Sequence, residues 1–168
     1  MVRFAYSTRT DPLKTTGKWG TRVNIFIPAS DATAAIAESD KSIPQGNGEL
    51  VLVVDDETPM LEVTKATLET FNYQVITANN GIEAVATYAN NQDAIALVIM
   101  DIMMPGMDGK TAIRTLKQID SQVRVIAVIG LITNQEILNE LEGEVLAFLS
   151  KPYSNEELIE TFYEIVSS

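Results

Sequence analysis

Cysteine and histidine are both absent from this chain of 168 residues, which removes disulfides, thiolate or imidazole metal ligation, and histidine-based proton transfer. Chemistry here must run on carboxylates, hydroxyls, lysine and oxygen-bound metal. Basic residues are scarce: 12 Lys and Arg stand against 23 Asp and Glu, a formal net charge of −11. Phosphate backbones are gripped by clustered Lys and Arg, so no nucleic-acid surface is expected. No apolar stretch approaches the roughly 20 residues that span a bilayer, and the first residues lack the apolar core of a secretory signal. The expectation is a cytoplasmic protein without membrane contact.

What is present divides into two unequal parts. Up to Gly48 the chain has 6 basic and 4 acidic residues, against 6 and 19 afterwards. Residues 29–48 are small, polar and closed by Gly and Pro, too poor in large apolar groups to offset ordering entropy, and read as a flexible linker. Upstream, within 1–28, Thr21-Arg22-Val23-Asn24-Ile25-Phe26-Ile27 alternates with a period of two and stops at Pro28, the pattern of a half-buried strand. Residues 49–168 form the regular part. Apolar runs at 50–54, 74–78, 94–100, 123–129 and 145–149 alternate with helical periodicity at 59–71, 81–90, 110–119, 134–141 and 155–166. Thr58-Pro59, Thr133 with Glu136, and Ser154 with Glu157 supply helix-start signals. Five strand–helix units predict a doubly wound α/β fold: a five-stranded parallel sheet of order 2-1-3-4-5, flavodoxin-like, with helices on both faces.

Three acids stand at the ends of two of these runs. Asp55 and Asp56 follow Leu50-Val51-Leu52-Val53-Val54, and Asp101 follows Ala94-Ile95-Ala96-Leu97-Val98-Ile99-Met100. Parallel strands would bring all three to the carboxyl edge of the sheet, at the switch point between strands 1 and 3. Carboxylates this close repel unless a hard cation with oxygen ligands neutralises them, and magnesium suits such a set. Simple helix capping is the alternative for any one of them; three together favour the cation. Lys151 ends the fifth run and would bring an ammonium to the same edge, where it could meet a phosphoryl oxygen. The Lys151-Pro152 amide is a candidate for the cis form.

These residues resemble a known family. Leu52-Val53-Val54-Asp55-Asp56-Glu57, then Met100-Asp101-Ile102-Met103-Met104-Pro105-Gly106-Met107-Asp108-Gly109, then Ser150-Lys151-Pro152 are similar to the receiver domain of two-component response regulators and hybrid histidine kinases, across about 49–168. The resemblance implies that Asp101 accepts a phosphoryl group. It implies that Asp55, Asp56, Asp101 and the backbone carbonyl of Met103 hold magnesium, and that Lys151 neutralises the transferred group. A histidine kinase or phosphotransfer protein would be the donor, and self-catalysed aspartyl phosphorylation the only enzymatic step. Gly106 and Gly109 fit the tight turns of the loop after strand 3, and Asp108 the cap of the next helix. Receivers carry Thr or Ser at the end of strand 4, where this chain has Ile129 followed by Gly130; Thr133 is the alternative hydroxyl if the alignment slips. Phe148 takes the place of the aromatic on strand 5 that turns with the switch, and an apolar ring there is expected to be buried.

Gly17-Lys18-Trp19-Gly20-Thr21-Arg22-Val23-Asn24-Ile25-Phe26-Ile27-Pro28-Ala29 resembles the last glycine box and final strand of a histidine-kinase ATPase domain. Three readings follow: a phosphoaccepting receiver in a phosphorelay, the C-terminal piece of a hybrid histidine kinase, or a pseudo-receiver binding module weakened at Ile129. An aspartyl phosphatase of the dehalogenase type would want an acid where Met103 stands. The pattern is also compatible with a homodimer through the last helices.

Overall fold

The structure is a computed structural model, and it describes residues 45–130 and 135–166. Five strands and five helices alternate along it: β1 (Leu50–Val54), α1 (Thr58–Thr70), β2 (Gln74–Ala78), α2 (Gly81–Asn91), β3 (Ile95–Asp101), α3 (Gly109–Ile119), β4 (Val125–Ile129), α4 (Gln135–Leu141), β5 (Ala147–Ser150) and α5 (Asn155–Val166). The strands form one sheet in the order β2-β1-β3-β4-β5, every pair parallel, as expected. The readings placed on 1–28, on most of the 29–48 linker and on Thr133 lie outside the described residues.

The central strands are continuous aliphatic runs because both of their faces are covered. Alternate side chains feed two cores. Leu52, Val54, Val98, Met100, Val125, Ala127 and Ile129 pack with Ala84, Tyr88, Ala112, Ile113, Leu116 and Leu141 from α2, α3 and α4. Val51, Val53, Leu97, Ile99, Ile126 and Val128 pack with Leu61, Leu68, Leu158, Ile159 and Phe162 from α1 and α5. Each large aliphatic fully withdrawn from water contributes about 1.5–3 kcal/mol, so a polar residue in β1, β3 or β4 would cost the fold heavily.

The helix ends agree with the sequence in part. Asp108 caps α3, its Oδ1 accepting from the Thr111 amide at 2.7 Å. Ser154 and Glu157 form the reciprocal capping box of α5, at 3.1 and 2.7 Å. Thr58 is not the cap of α1: the helix begins with Thr58, and Glu57 stands at the cap without a side-chain bond. The residue missed by pattern reading is Asn80, whose side chain accepts from the Glu83 amide at 2.9 Å and caps α2. Asn72, at φ 67°, takes the left-handed conformation that closes α1 and turns the chain into β2.

Candidate functional site

β1 and β3 lie side by side, with Val54 opposite Met100, so the residues that follow emerge together at the carboxyl edge. Backbone bonds carry the ladder past the strand ends: the Asp55 amide donates to Ala78 O at 3.2 Å and the Lys151 amide to Ile129 O at 2.7 Å. The acid and the lysine are thus fixed by main chain before any side-chain contact forms.

Asp55 and Asp101 are buried, at 5% and 4% exposure, whereas Asp56 is exposed. Carboxylate oxygens from the three lie within 4.8 Å of one another. Lys151 Nζ stands between the two buried acids, 2.7 Å from Asp55 Oδ2 and 2.6 Å from Asp101 Oδ2. The remaining oxygens are also engaged: Asp55 Oδ1 accepts from the Glu57 amide and Asp101 Oδ1 from the Met103 amide, both at 2.9 Å. Burial alone would lower the Lys151 pKa, but its hydrogen bonds to Asp101 and Asp55 and their charges outweigh it and hold the ammonium well above its usual value. Lysine is therefore a fixed cation of this pocket. The donor set is all oxygen, with two buried carboxylates and one open to solvent, and fits a small hard cation that keeps part of its water shell.

The loop after β3 is shaped by two glycines for different reasons. Gly106 has φ +80° and turns the chain, as expected. Gly109 is required by close approach instead: a Cβ there would stand 2.0 Å from Asp101 O. Only glycine lets α3 start directly against the residue that carries the buried carboxylate.

The switch positions are brought to the same end of the sheet but differ in exposure. Ile129 is the last residue of β4, opposite Ser150, and is 8% exposed within the first core. Gly130 follows it with open space around its Cα. Phe148, paired with Ala127 across β4 and β5, is 38% exposed. The expectation of a buried ring is corrected: β5 is an edge strand, and among the described residues no helix covers this ring as α5 covers Leu149 on the opposite face. Met103 turns its side chain outward, 61% exposed, while its amide is engaged by Asp101.

Sequence reading missed the second layer. Glu57 Oε1 lies 3.8 Å from Lys151 Nζ. Beyond the cis Lys151-Pro152 bond, Tyr153 OH meets Thr64 Oγ1 at 3.1 Å and Thr67 Oγ1 donates to Asn155 Oδ1 at 3.1 Å. These tie the lysine-bearing loop to α1. Their partners lie 89 and 88 residues apart, so no local pattern could reveal them.

Comparison with known proteins agrees with this geometry. The family model for the response regulator receiver domain matches residues 51–163. The chemotaxis protein CheY of Bacillus subtilis is 33% identical over 111 residues, covering 66% of this chain and 91% of that protein. Sensor kinase CckA of Brucella abortus is 29% identical over 156 residues, covering 88% of this chain and 16% of the kinase; the chain thus spans less than a fifth of that relative. A solved receiver domain of a Pseudomonas aeruginosa sensor histidine kinase, with a magnesium ion coordinated in its active site cleft, is 25% identical, with a TM-score of 0.66 over 72% of this chain and 99% of that one.

Proposed function

The chain belongs to the response regulator receiver domain family, and from that premise we propose that it accepts a phosphoryl group on Asp101 within a two-component pathway. An Asp101 carboxylate oxygen attacks phosphorus while the bond from phosphorus to the donor's histidine nitrogen breaks, leaving an acyl phosphate and a neutral imidazole after protonation. The donor is a histidine kinase or a phosphotransfer protein. Phosphoryl transfer passes through a loose transition state in which positioning and charge neutralisation are most of the catalysis. The observation that carries the reading is the Lys151 ammonium at 2.6 Å from the buried Asp101 carboxylate, already placed where a transferred phosphoryl oxygen would need a cation. Asp55, Asp56, Asp101 and the Met103 carbonyl would hold magnesium, which when bound supplies further positive charge beside the acceptor. The transfer is self-catalysed, and the protein works in the cytoplasm on protein partners.

The test is intact mass after incubation with magnesium and acetyl phosphate. One phosphoryl adduct is expected in the wild-type chain, none in Asp101→Asn, and none when magnesium is chelated. A folded protein that stays unmodified with fresh donor would leave the pseudo-receiver reading standing, in which the acid pocket is a remnant and the chain only binds.

A second reading, compatible with the first, makes the chain the C-terminal part of a hybrid histidine kinase. It is favoured by the alignment with the Brucella abortus sensor kinase, which at 88% coverage of this chain cannot be contained within 49–168 and enters the residues upstream. A longer transcript that joins a histidine-bearing kinase core in frame would support it; a transcript starting at Met1 would remove it.

A further inference from the structure

Leaving tyrosine aside, the buried polar side chains among the described residues are Asp55, Asp101, Thr64 and Thr67. The two acids belong to the pocket. The two threonines stand three apart on α1, which puts them on one face of the helix, and both meet the segment that follows Lys151. Thr64 Oγ1 and Tyr153 OH are 3.1 Å apart, and Thr67 Oγ1 donates to Asn155 Oδ1 at 3.1 Å. The Tyr153 ring packs against the core shared by α1 and α5. Burial raises its pKa against the opposing effects of the Thr64 bond and the Lys151 charge, so the phenol stays protonated at neutral pH. A buried hydroxyl pair is little better for stability than two apolar groups of the same shape. What it adds is direction: an apolar contact tolerates sliding, whereas a hydrogen bond weakens steeply when its geometry is lost.

Lys151 has two kinds of anchor. Its Nζ is held by Asp55 and Asp101 at 2.7 and 2.6 Å, and its amide donates to Ile129 O at 2.7 Å. The two acids are also the groups that would hold magnesium and receive the phosphoryl group, so their grip on the ammonium loosens when the pocket is used. The amide bond fixes the near side of Lys151; on the far side Tyr153 and Asn155 tie the chain to α1. We propose that the Tyr153 and Thr64 hydroxyls, backed by Thr67 and Asn155, position Lys151, keeping its ammonium aimed at the phosphoryl oxygen once the acids have turned to magnesium. These are positioning residues: they act through Lys151. The consequence for transfer rests on the phosphoacceptor reading given above, while the positioning itself rests on the geometry alone.

The test compares the full chain with Tyr153→Phe, Thr64→Val, the double variant and Thr64→Ser. Each of the first two leaves one buried hydroxyl without its partner and loses stability; the double variant removes both and should recover most of it. The rate of adduct formation from acetyl phosphate at saturating magnesium, followed by intact mass, is expected to fall about fivefold in Tyr153→Phe and Thr64→Val, the order of one neutral hydrogen bond. It should stay low in the double variant although stability returns. Thr64→Ser, which keeps the hydroxyl, should transfer at the wild-type rate. Tyr88→Phe removes a phenol bond of 2.8 Å to Asp120 at the C-terminal end of α3, and should leave the rate unaltered. A second readout needs no donor: in magnesium alone, the Lys151 ammonium protons should exchange with solvent about fivefold faster in the variants that lack the pair. A wild type that forms no adduct would defeat the phosphoacceptor reading, while the exchange data still decide the positioning. The proposal is overturned if the single variants keep the wild-type rate, or if the rate follows stability back up in the double variant. It is overturned as well if Tyr88→Phe slows transfer equally, if Thr64→Ser is as slow as Thr64→Val, or if ammonium exchange is the same in all the proteins.

Discussion

Lys151 keeps apart two buried carboxylates that would repel each other in its absence. Removing one member of such a cluster leaves uncompensated charge behind, and for a partly solvated site the cost is roughly 2–3 kcal/mol. Lys151→Met should lower the unfolding free energy read from urea melts by that amount without magnesium and regain part of the loss when magnesium is added; a variant as stable as wild type in chelator would show that the acids need no counter-ion. Ile129 ends β4, at the position where the resemblance to receivers leads one to expect a hydroxyl. A hydroxyl there could donate to a phosphoryl oxygen, a charge-assisted bond worth about 1.5–3 kcal/mol, and a ligand shifts an equilibrium only by such differential contacts. Ile129→Thr is therefore expected to enlarge the spectral change around Phe148 on phosphorylation, and equal changes in the two proteins would show that Ile129 does not limit the response. The acids and Lys151 were legible because each ends an apolar run. The outward ring of Phe148 was not, because its cover depends on what flanks an edge strand, and no period in the sequence encodes that.

The helices hold to the sheet by their apolar faces, and their ends are set by residues a few positions away. That locality is why the caps at Asp108 and Ser154 could be read directly, while the Thr58 cap was displaced: Asp55 takes the Glu57 amide, so the start of α1 answers to the site and not to its own first polar residue. The Asp108 cap has a pH signature. Its side-chain and backbone bonds with Thr111 hold its carboxyl below the ordinary range. A depressed folded pKa contributes stability that is complete above the unfolded value of about 4 and is lost as pH falls through the folded one. Asp108→Ala should cost about 1 kcal/mol at neutral pH, and the difference from wild type should shrink in urea melts below about pH 4. Asp108→Asn, which caps without a charge, should keep its stability there; a constant Asp-to-Ala gap across the acid range would refute the assignment. α5 shows the limit of local reading. It has no basic residue in its last turn, and the cation that complements its C-terminal end is Arg124, 41 residues distant from Ile165.

As a whole molecule the chain carries a net charge of −11, and part of that charge is concentrated where a divalent cation would be held. A ligand that binds only the folded state at a hundred times its dissociation constant stabilises by about 2.7 kcal/mol, which in a domain of this size raises the melting midpoint on the order of 10 °C. Magnesium should do this in the wild type and fail in Asp56→Asn, an exposed substitution that leaves the core intact. Sodium chloride at matched ionic strength should give a small rise in both, by screening alone; a magnesium effect of equal size in the two proteins would make it screening too. The topology was legible at this scale because alternating aliphatic runs and helical periods leave few ways to build a parallel sheet. The point of entry was not. Gly46 and Gly48 donate to Phe71 O and Asn72 O at 2.8 and 3.0 Å, and Asn72 donates to Gly46 O at 2.7 Å. The chain is therefore clasped to the turn before β2, at the amino edge of the sheet, about 17 Å of strand away from the acids. Gly46 thus lies at the pole opposite Asp101, and a leash joined there would start from the far end of the sheet. For a donor on that leash, lengthening or shortening the tether would alter no atom of the pocket; it would alter the effective concentration at which donor and acceptor meet.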